Sequence, residues 1–175
     1  YEGGNLTEVK RGKQSDGYRK MKYEYDGLNQ RTKEKRLDSS DNEDVRVQYK
    51  YDSEGKVLKQ ISAALKERKF SYDVMGWQTT VSETADDGSQ ASTGNEYDNA
   101  GRVTQATDAA GAITQMSYDG LDRLVTRIEA VGTEVQRRRD YEYNALGGVT
   151  KITYSGNYDS QLDTYADVQV TSYYY

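Results

Sequence analysis

The chain has 175 residues, a net charge of −5 and no cysteine, histidine or proline. Disulfides, thiolate chemistry, imidazole bases and Cys/His zinc sites are therefore excluded. The negative balance argues against a general nucleic-acid binder, and no apolar run approaches the ~20 residues needed to span a bilayer.

Charged residues make up 30% and hydrophobic residues 34%, a balance that can mark disorder. Seventeen tyrosines against one Phe and one Trp argue otherwise, because many recur at regular spacing beside turn residues. The expectation is a sheet with little buried volume per residue. Tyrosine suits it, since the ring packs while the hydroxyl reaches water. The lack of cysteine points to a bacterial protein over a secreted eukaryotic domain.

Residues 1–24 read as a degenerate first hairpin. Leu6 to Val9 start a strand, Lys10 to Gly17 form a charged tip, and Tyr18 to Tyr25 return. From there one unit, Tyr-Asp-x-x-Gly, paces the chain. Its copies begin at Tyr25-Asp26, Tyr51-Asp52, Tyr72-Asp73, Tyr97-Asp98, Tyr118-Asp119 and Tyr143-Asn144. Their fifth positions are Asn29, Gly55, Gly76, Gly101, Asp122 and Gly147. Only Gly, Asn and Asp tolerate positive φ readily, so each unit predicts a tight turn ending in a left-handed residue. The second-position carboxylate or amide accepts a backbone hydrogen bond two residues on. The tyrosine ends the incoming strand. Two residues before it stand Tyr23, Tyr49, Phe70, Asn95, Met116 and Tyr141, which share its face.

Successive unit tyrosines are 26, 21, 25, 21 and 25 residues apart. Such a period marks a repeat architecture, and the shorter interval suffices for one hairpin. The extra residues of the longer intervals are assigned to extended tips at Asp38–Asp44 and Thr84–Ser89, against a tight tip at Asp108–Gly111. Lys33 to Arg36 read as a solvated strand. Ala63 to Lys69 invite a helix by propensity, but the register places them across a tip and the next strand. Arg137, Arg138 and Arg139 admit two readings: an anion or polymer contact, or strand arginines pairing with Glu129 and Asp140. Ser155 to Val170 depart from the pattern and read as a long tip before a return strand over Val168–Tyr175.

The residues hold little catalytic promise. Asp38, Ser40, Asn42 and Asp44 alternate as calcium ligands do. However, Glu43 stands where an EF-hand needs glycine and Tyr49 where it needs glutamate. An acidic turn is the better reading. The repeated aspartates are turn formers. No spacing marks a nucleophile with its base. No residue is assigned a catalytic, cofactor-binding or metal-binding role.

The string Tyr-Asp-x-x-Gly-Arg-Val/Leu resembles the YD repeats of the RHS (rearrangement hotspot) family. Tyr97-Asp98-Asn99-Ala100-Gly101-Arg102-Val103 is close to that consensus. Tyr1-Glu2-Gly3-Gly4-Asn5-Leu6-Thr7 resembles a shortened variant. The family includes bacterial polymorphic toxins, the B–C components of insecticidal toxin complexes and animal teneurins. The resemblance implies an all-β fold: an open, curved antiparallel sheet of consecutive hairpins, one YD-repeat array of about seven repeats over residues 1–175. It implies an excerpt of a shell that encapsulates or scaffolds a cargo such as a C-terminal toxin domain. The expected partners are neighbouring repeats and that cargo, with no nucleic acid and no membrane span. The expected location is secreted, cell-surface or delivered by a bacterial secretion system. No match to the family's self-cleaving element or toxin domain is present, so no enzyme activity is expected. The alternative is an extracellular adhesion module that contacts carbohydrate or protein through exposed tyrosines.

Overall fold

A computed structural model describes residues 3–11, 19–38, 40–85 and 87–173. The described residues form fourteen antiparallel strands, hydrogen-bonded in chain order, and no helix. The strands are β1 Glu8–Arg11, β2 Arg19–Tyr25, β3 Arg31–Leu37, β4 Glu43–Tyr51, β5 Val57–Ser62, β6 Glu67–Tyr72 and β7 Gln78–Thr84. They continue as β8 Gln90–Tyr97, β9 Val103–Thr107, β10 Ile113–Tyr118, β11 Leu124–Glu129, β12 Arg137–Tyr143, β13 Val149–Asp159 and β14 Thr164–Ser172. The fold is all-β, an open antiparallel sheet of consecutive hairpins. The chain divides into two compact units, Tyr1–Ser71 with Thr80–Ala91, and Tyr72–Thr79 with Ser92–Tyr175.

In the first unit the registers Tyr23↔Glu34, Glu34↔Val47 and Tyr49↔Gln60 put Tyr23, Tyr25, Tyr49 and Tyr51 on one face. Lys22, Glu24, Lys35 and Glu43 take the other. Lys22 and Lys35 stand directly opposite each other, a repulsive placement by itself. Glu43 offsets it, lying 2.7 Å from Lys22 and 2.5 Å from Lys35, while Glu24 pairs with Lys35 and Lys33. Hydrogen bonds from these two lysines, Lys22 first, hold the Glu43 carboxyl at about 2, well below its ordinary value.

In the second unit Tyr97, Met116, Tyr118, Tyr141 and Tyr143 share a face. On the other face Gln105 donates to Glu96 at 3.0 Å and Gln115 donates to Gln105 at 3.2 Å, a polar rung across β8, β9 and β10. Tyr158 and Tyr165 pack together near the last tip, with ring centroids 5.1 Å apart.

Neither unit has a core of the usual kind. Among the described residues Leu37 is the one buried apolar side chain, and Gln136 and Ser155 are the buried polar ones. Most strand side chains are half-buried against their cross-strand neighbours. Gln136 is satisfied at both ends: its amide donates to the Tyr165 hydroxyl at 2.8 Å and accepts from the Gly132 N–H at 2.6 Å.

The longer intervals are not made by longer tips at Asp38 and Thr84. Asp38 closes on Asn42 and Ala85 on Ser89, the same span as Asp108 to Ala112. The added residues lengthen strands instead. β4 has nine residues and β8 eight, and Arg46 is an extra residue bulged from β4 between Val45 and Val47. Ala63 to Lys69 form a tip and the start of β6. Tertiary pairing overrides helix propensity there, at the cost of a positive φ of 59° at Leu65. The last hairpin also differs from expectation. β13 runs on to Asp159 and β14 returns from Thr164, so Ser155 to Val170 are mostly paired strand. The span 12–18, which holds most of the expected first tip, and Tyr175 lie outside the described residues.

Candidate functional site

The feature that recurs is the turn, and its geometry follows from three residue types. At Asp98 the backbone N–H donates to the Arg102 carbonyl at 3.0 Å, and the Gly101 N–H donates back to the Asp98 carbonyl at 3.0 Å. The Asp98 carboxylate then accepts from the N–H of Ala100 at 2.9 Å and of Arg102 at 3.1 Å. Gly101 has φ of 81°. This is a three-residue hairpin loop closed by a left-handed residue. The same two side-chain bonds recur at Asp26, Asp52, Asp73, Asp119 and Asn144. The closing residues Asn29, Gly55, Gly76, Asp122 and Gly147 have φ between 62° and 90°.

The carboxylates are charged partners as well as turn formers. The Asp98 carboxyl lies below its ordinary pKa, first because the Arg102 guanidinium bonds to it. Partial burial pushes Asp119 up, but the backbone and side chain of Arg123 outweigh it and the net shift is down. Asp52 is lowered chiefly by the Lys56 N–H.

The unit turns at Tyr25, Tyr51, Tyr97, Tyr118 and Tyr143 each end in a one-residue slip of register. Glu96 pairs with Gln105 but Tyr97 with Val103, which leaves Thr104 bulged. Thr32, Leu58, Val125 and Thr150 are bulged in the same way. The slip strengthens local twist. It is accompanied by a gap on the other side of the outgoing strand. β10 pairs with β9 only as far as Gln115↔Gln105, so the first residues of β9 lack a ladder partner there.

The unit tyrosine closes that gap. Tyr118 donates its hydroxyl to the Val103 carbonyl at 2.9 Å. Tyr143 does so to Leu124, Tyr97 to Gln78 and Tyr51 to Arg31, each at 2.7 Å, and Tyr25 to Leu6 at 2.8 Å. The hydroxyl therefore does not simply reach water, as tyrosine composition implies. It replaces a missing backbone bond between one hairpin and the previous one. Tyr72 holds the equivalent strand-end position.

The residue after the left-handed position makes a second link. Arg102 bonds Asp98 of its own turn at 2.7 Å, lies 4.9 Å above the Tyr118 ring, and reaches the Asp119 carbonyl and Asp122 of the next turn. Arg123 repeats this with Asp119, the Tyr143 ring at 4.6 Å and the Asn144 carbonyl. Trp77 packs on Tyr97 at 5.5 Å and lies against Gly101, where an added Cβ would come within 2.9 Å of its ring. Gln30 lies against Gly55 in the same way, at 2.9 Å. The expected signature residues are thus placed at equivalent positions. The linking role of positions 30, 77, 102 and 123 is what sequence reasoning missed. The signal available was a long side chain after each turn.

Elsewhere the side chains are paired for structure. Arg138 forks onto Asp140 at 2.7 and 2.8 Å, and Arg139 reaches Glu129 at 3.6 Å. Among the described residues no three acidic side chains gather to hold a metal. Asp38 serves as a turn former, accepting from the N–H groups of Ser40 and Asn42.

Comparisons with known proteins follow the same lines. The family model RHS Repeat matches residues 97–134. The structure superposes on TcdB2-TccC3 with a TM-score of 0.68 at 14% identity, covering 94% of this chain and 10% of that one. Its complex with Cdc42 gives 0.67, also at 14% identity and over the same shares. A variant Tc holotoxin pore from Photorhabdus luminescens gives 0.65 at 15% identity, over 85% of this chain and 9% of that one. The likeness is one of fold, and the chain spans about a tenth of the solved chains it matches. No curated protein matches it. Residues 97–134 match the RHS repeat, and the turn they contain recurs along the chain on either side of them.

Proposed function

We propose that this chain is a wall segment of a YD-repeat shell, one continuous array that encloses or scaffolds a polypeptide cargo. The observation that carries the reading is the stitch between successive hairpins. A tyrosine hydroxyl on the earlier hairpin's carbonyl, with an arginine or tryptophan bridging to the next turn, joins neighbours where the backbone ladder fails. A sheet with almost no buried core needs such links to stay continuous. Each hydroxyl bond contributes on the order of 1 kcal/mol. The role is steric and not catalytic. Export and delivery of the parent protein belong to the same proposal. Five of the seventeen tyrosine hydroxyls donate to backbone carbonyls, which leaves fewer of them for an adhesive surface.

The test is protease shielding. The segment, expressed within its full-length gene product, should protect a domain that follows the repeats from added protease. Replacing Tyr72, Tyr97 and Tyr118 together with alanine should remove the protection, because each deleted ring costs about 3 kcal/mol or more. A triple variant that folds and still shields its cargo would overturn the reading.

A further inference from the structure

Of the three consecutive arginines on β12, Arg138 and Arg139 are engaged with carboxylates, while Arg137 is exposed and has no side-chain partner among the described residues. It lies beside a cleft of about 380 Å³ on one face of β12, β13 and β14. Its lining includes Arg137 and Arg139, Tyr154 and Gly156, and Asp167 and Gln169, which the register puts on one face, together with Arg138 and Ser155 between them. Gly156 makes the notch. It stands opposite Asp167 in the ladder, it offers no side chain, and a Cβ added there would meet nothing within 4 Å. The volume is at the small end of ligand pockets, which run from about 300 to 1,000 Å³.

The chemistry on offer is specific. Arg137 stands opposite Glu129 in the ladder, but Glu129 pairs with Arg127 and Arg139, which leaves Arg137 a fork that fits a carboxylate with two parallel bonds. Arg139, two residues along the same strand face, is held by Glu129 at a loose 3.6 Å. Residues so spaced are about 6.6 Å apart on a strand. Opposite them Asp167, whose carboxylate already accepts from the Asn157 amide, has a second oxygen to offer, and Gln169 both donates and accepts. Tyr154 is 39% exposed, but the Arg139 guanidinium lies over its ring at 5.9 Å. A sugar ring would need that aromatic face, whereas a carboxylate side chain needs only the arginines.

We infer that this cleft binds an extended acidic peptide segment of a partner protein, one with carboxylates two residues apart. One carboxylate sits on Arg137 and the next on Arg139. The peptide's backbone N–H faces Asp167, and its carbonyl faces the Gln169 amide. The site stands whether or not the chain walls a shell, and its failure would leave that proposal intact.

The experiment is a calorimetric titration of the whole chain with a pentapeptide centred on Glu-Ser-Glu. A peptide with adjacent glutamates and a hexuronate oligosaccharide serve as comparators. The expected result is salt-sensitive binding, strongest for the Glu-Ser-Glu spacing. Arg137→Gln should weaken it about tenfold or more. Gly156→Leu puts a side chain in the notch, where an added Cβ meets nothing within 4 Å, and should weaken it as much, which keeps the test decisive if the arginine variant fails to fold. Glu129→Gln frees Arg139 and should tighten binding. Arg46→Gln, far along the chain in the other unit, should change nothing. Failure to bind at millimolar peptide, binding unmoved by both Arg137→Gln and Gly156→Leu, or preference for the hexuronate would each overturn the assignment.

Discussion

At the scale of single residues, the turn's last position shows how much a sequence pattern carries. Gly, Asn and Asp at position five imply positive φ, and the structure has it at Asn29, Gly55, Gly76, Gly101, Asp122 and Gly147. What the pattern does not carry is the neighbour. Gly101 and Gly147 look equivalent in sequence, and both have φ above 80°. Around Gly147 an added Cβ meets nothing within 4 Å, while at Gly101 it would lie 2.9 Å from the Trp77 ring. Trp77 is 24 residues away in the chain, so the difference is invisible to local reading. The two glycines therefore should respond differently to asparagine. Gly147→Asn should cost less than about 1 kcal/mol, since Asn adopts the left-handed region at small cost. Gly101→Asn should cost clearly more, and replacing Trp77 by a smaller residue should recover part of the loss. Urea unfolding of the three variants measures this. Equal costs at the two glycines would reject the packing account.

At the scale of the element, strands and turns were legible because periodicity and turn chemistry are local. The tyrosines at strand ends, the hairpin spacing and the strand character of Lys33 to Arg36 all follow from residue type. Two things were not legible. Tip length was read from composition at Asp38 to Asp44, but acidic residues there occupy both a turn and the start of β4. The tyrosine hydroxyl's partner was also hidden, because it depends on where the neighbouring ladder stops. This partner makes a clean test. Tyr118→Phe keeps the ring and removes the bond to the Val103 carbonyl, so it should destabilise by about 0.5–1.5 kcal/mol. Tyr154→Phe removes a hydroxyl that has no hydrogen-bond partner among the described residues and should be close to neutral. If the two phenylalanine variants have the same midpoint, the hydroxyl does not hold the hairpins together.

At the scale of the whole molecule, the composition foretold a protein with little interior. A hydrophobic share of 34% and one buried apolar residue among those described are two sides of one fact. Such a protein is held by cross-strand contacts, so its terminal strands matter more than they would in a globule. Among the described residues β1 pairs only with β2, and β14 only with β13. Each leaves a row of backbone donors and acceptors that a further strand can use. β14 is the more exposed of the two to association. It is nine residues long and presents Val168 and Val170 at 58% and 55% exposure. Long, flat, apolar edges are templates for pairing. The isolated 175 residues should therefore self-associate in a concentration-dependent way in sedimentation velocity. Val168→Lys with Val170→Lys should suppress it, because charge on an edge strand opposes strand addition. The same pair of changes on β14 should leave the circular dichroism spectrum unaltered, since neither valine is buried. A wild-type chain that stays monomeric across the micromolar range, or association untouched by the two lysines, would show that β14 is not the edge through which the sheet grows.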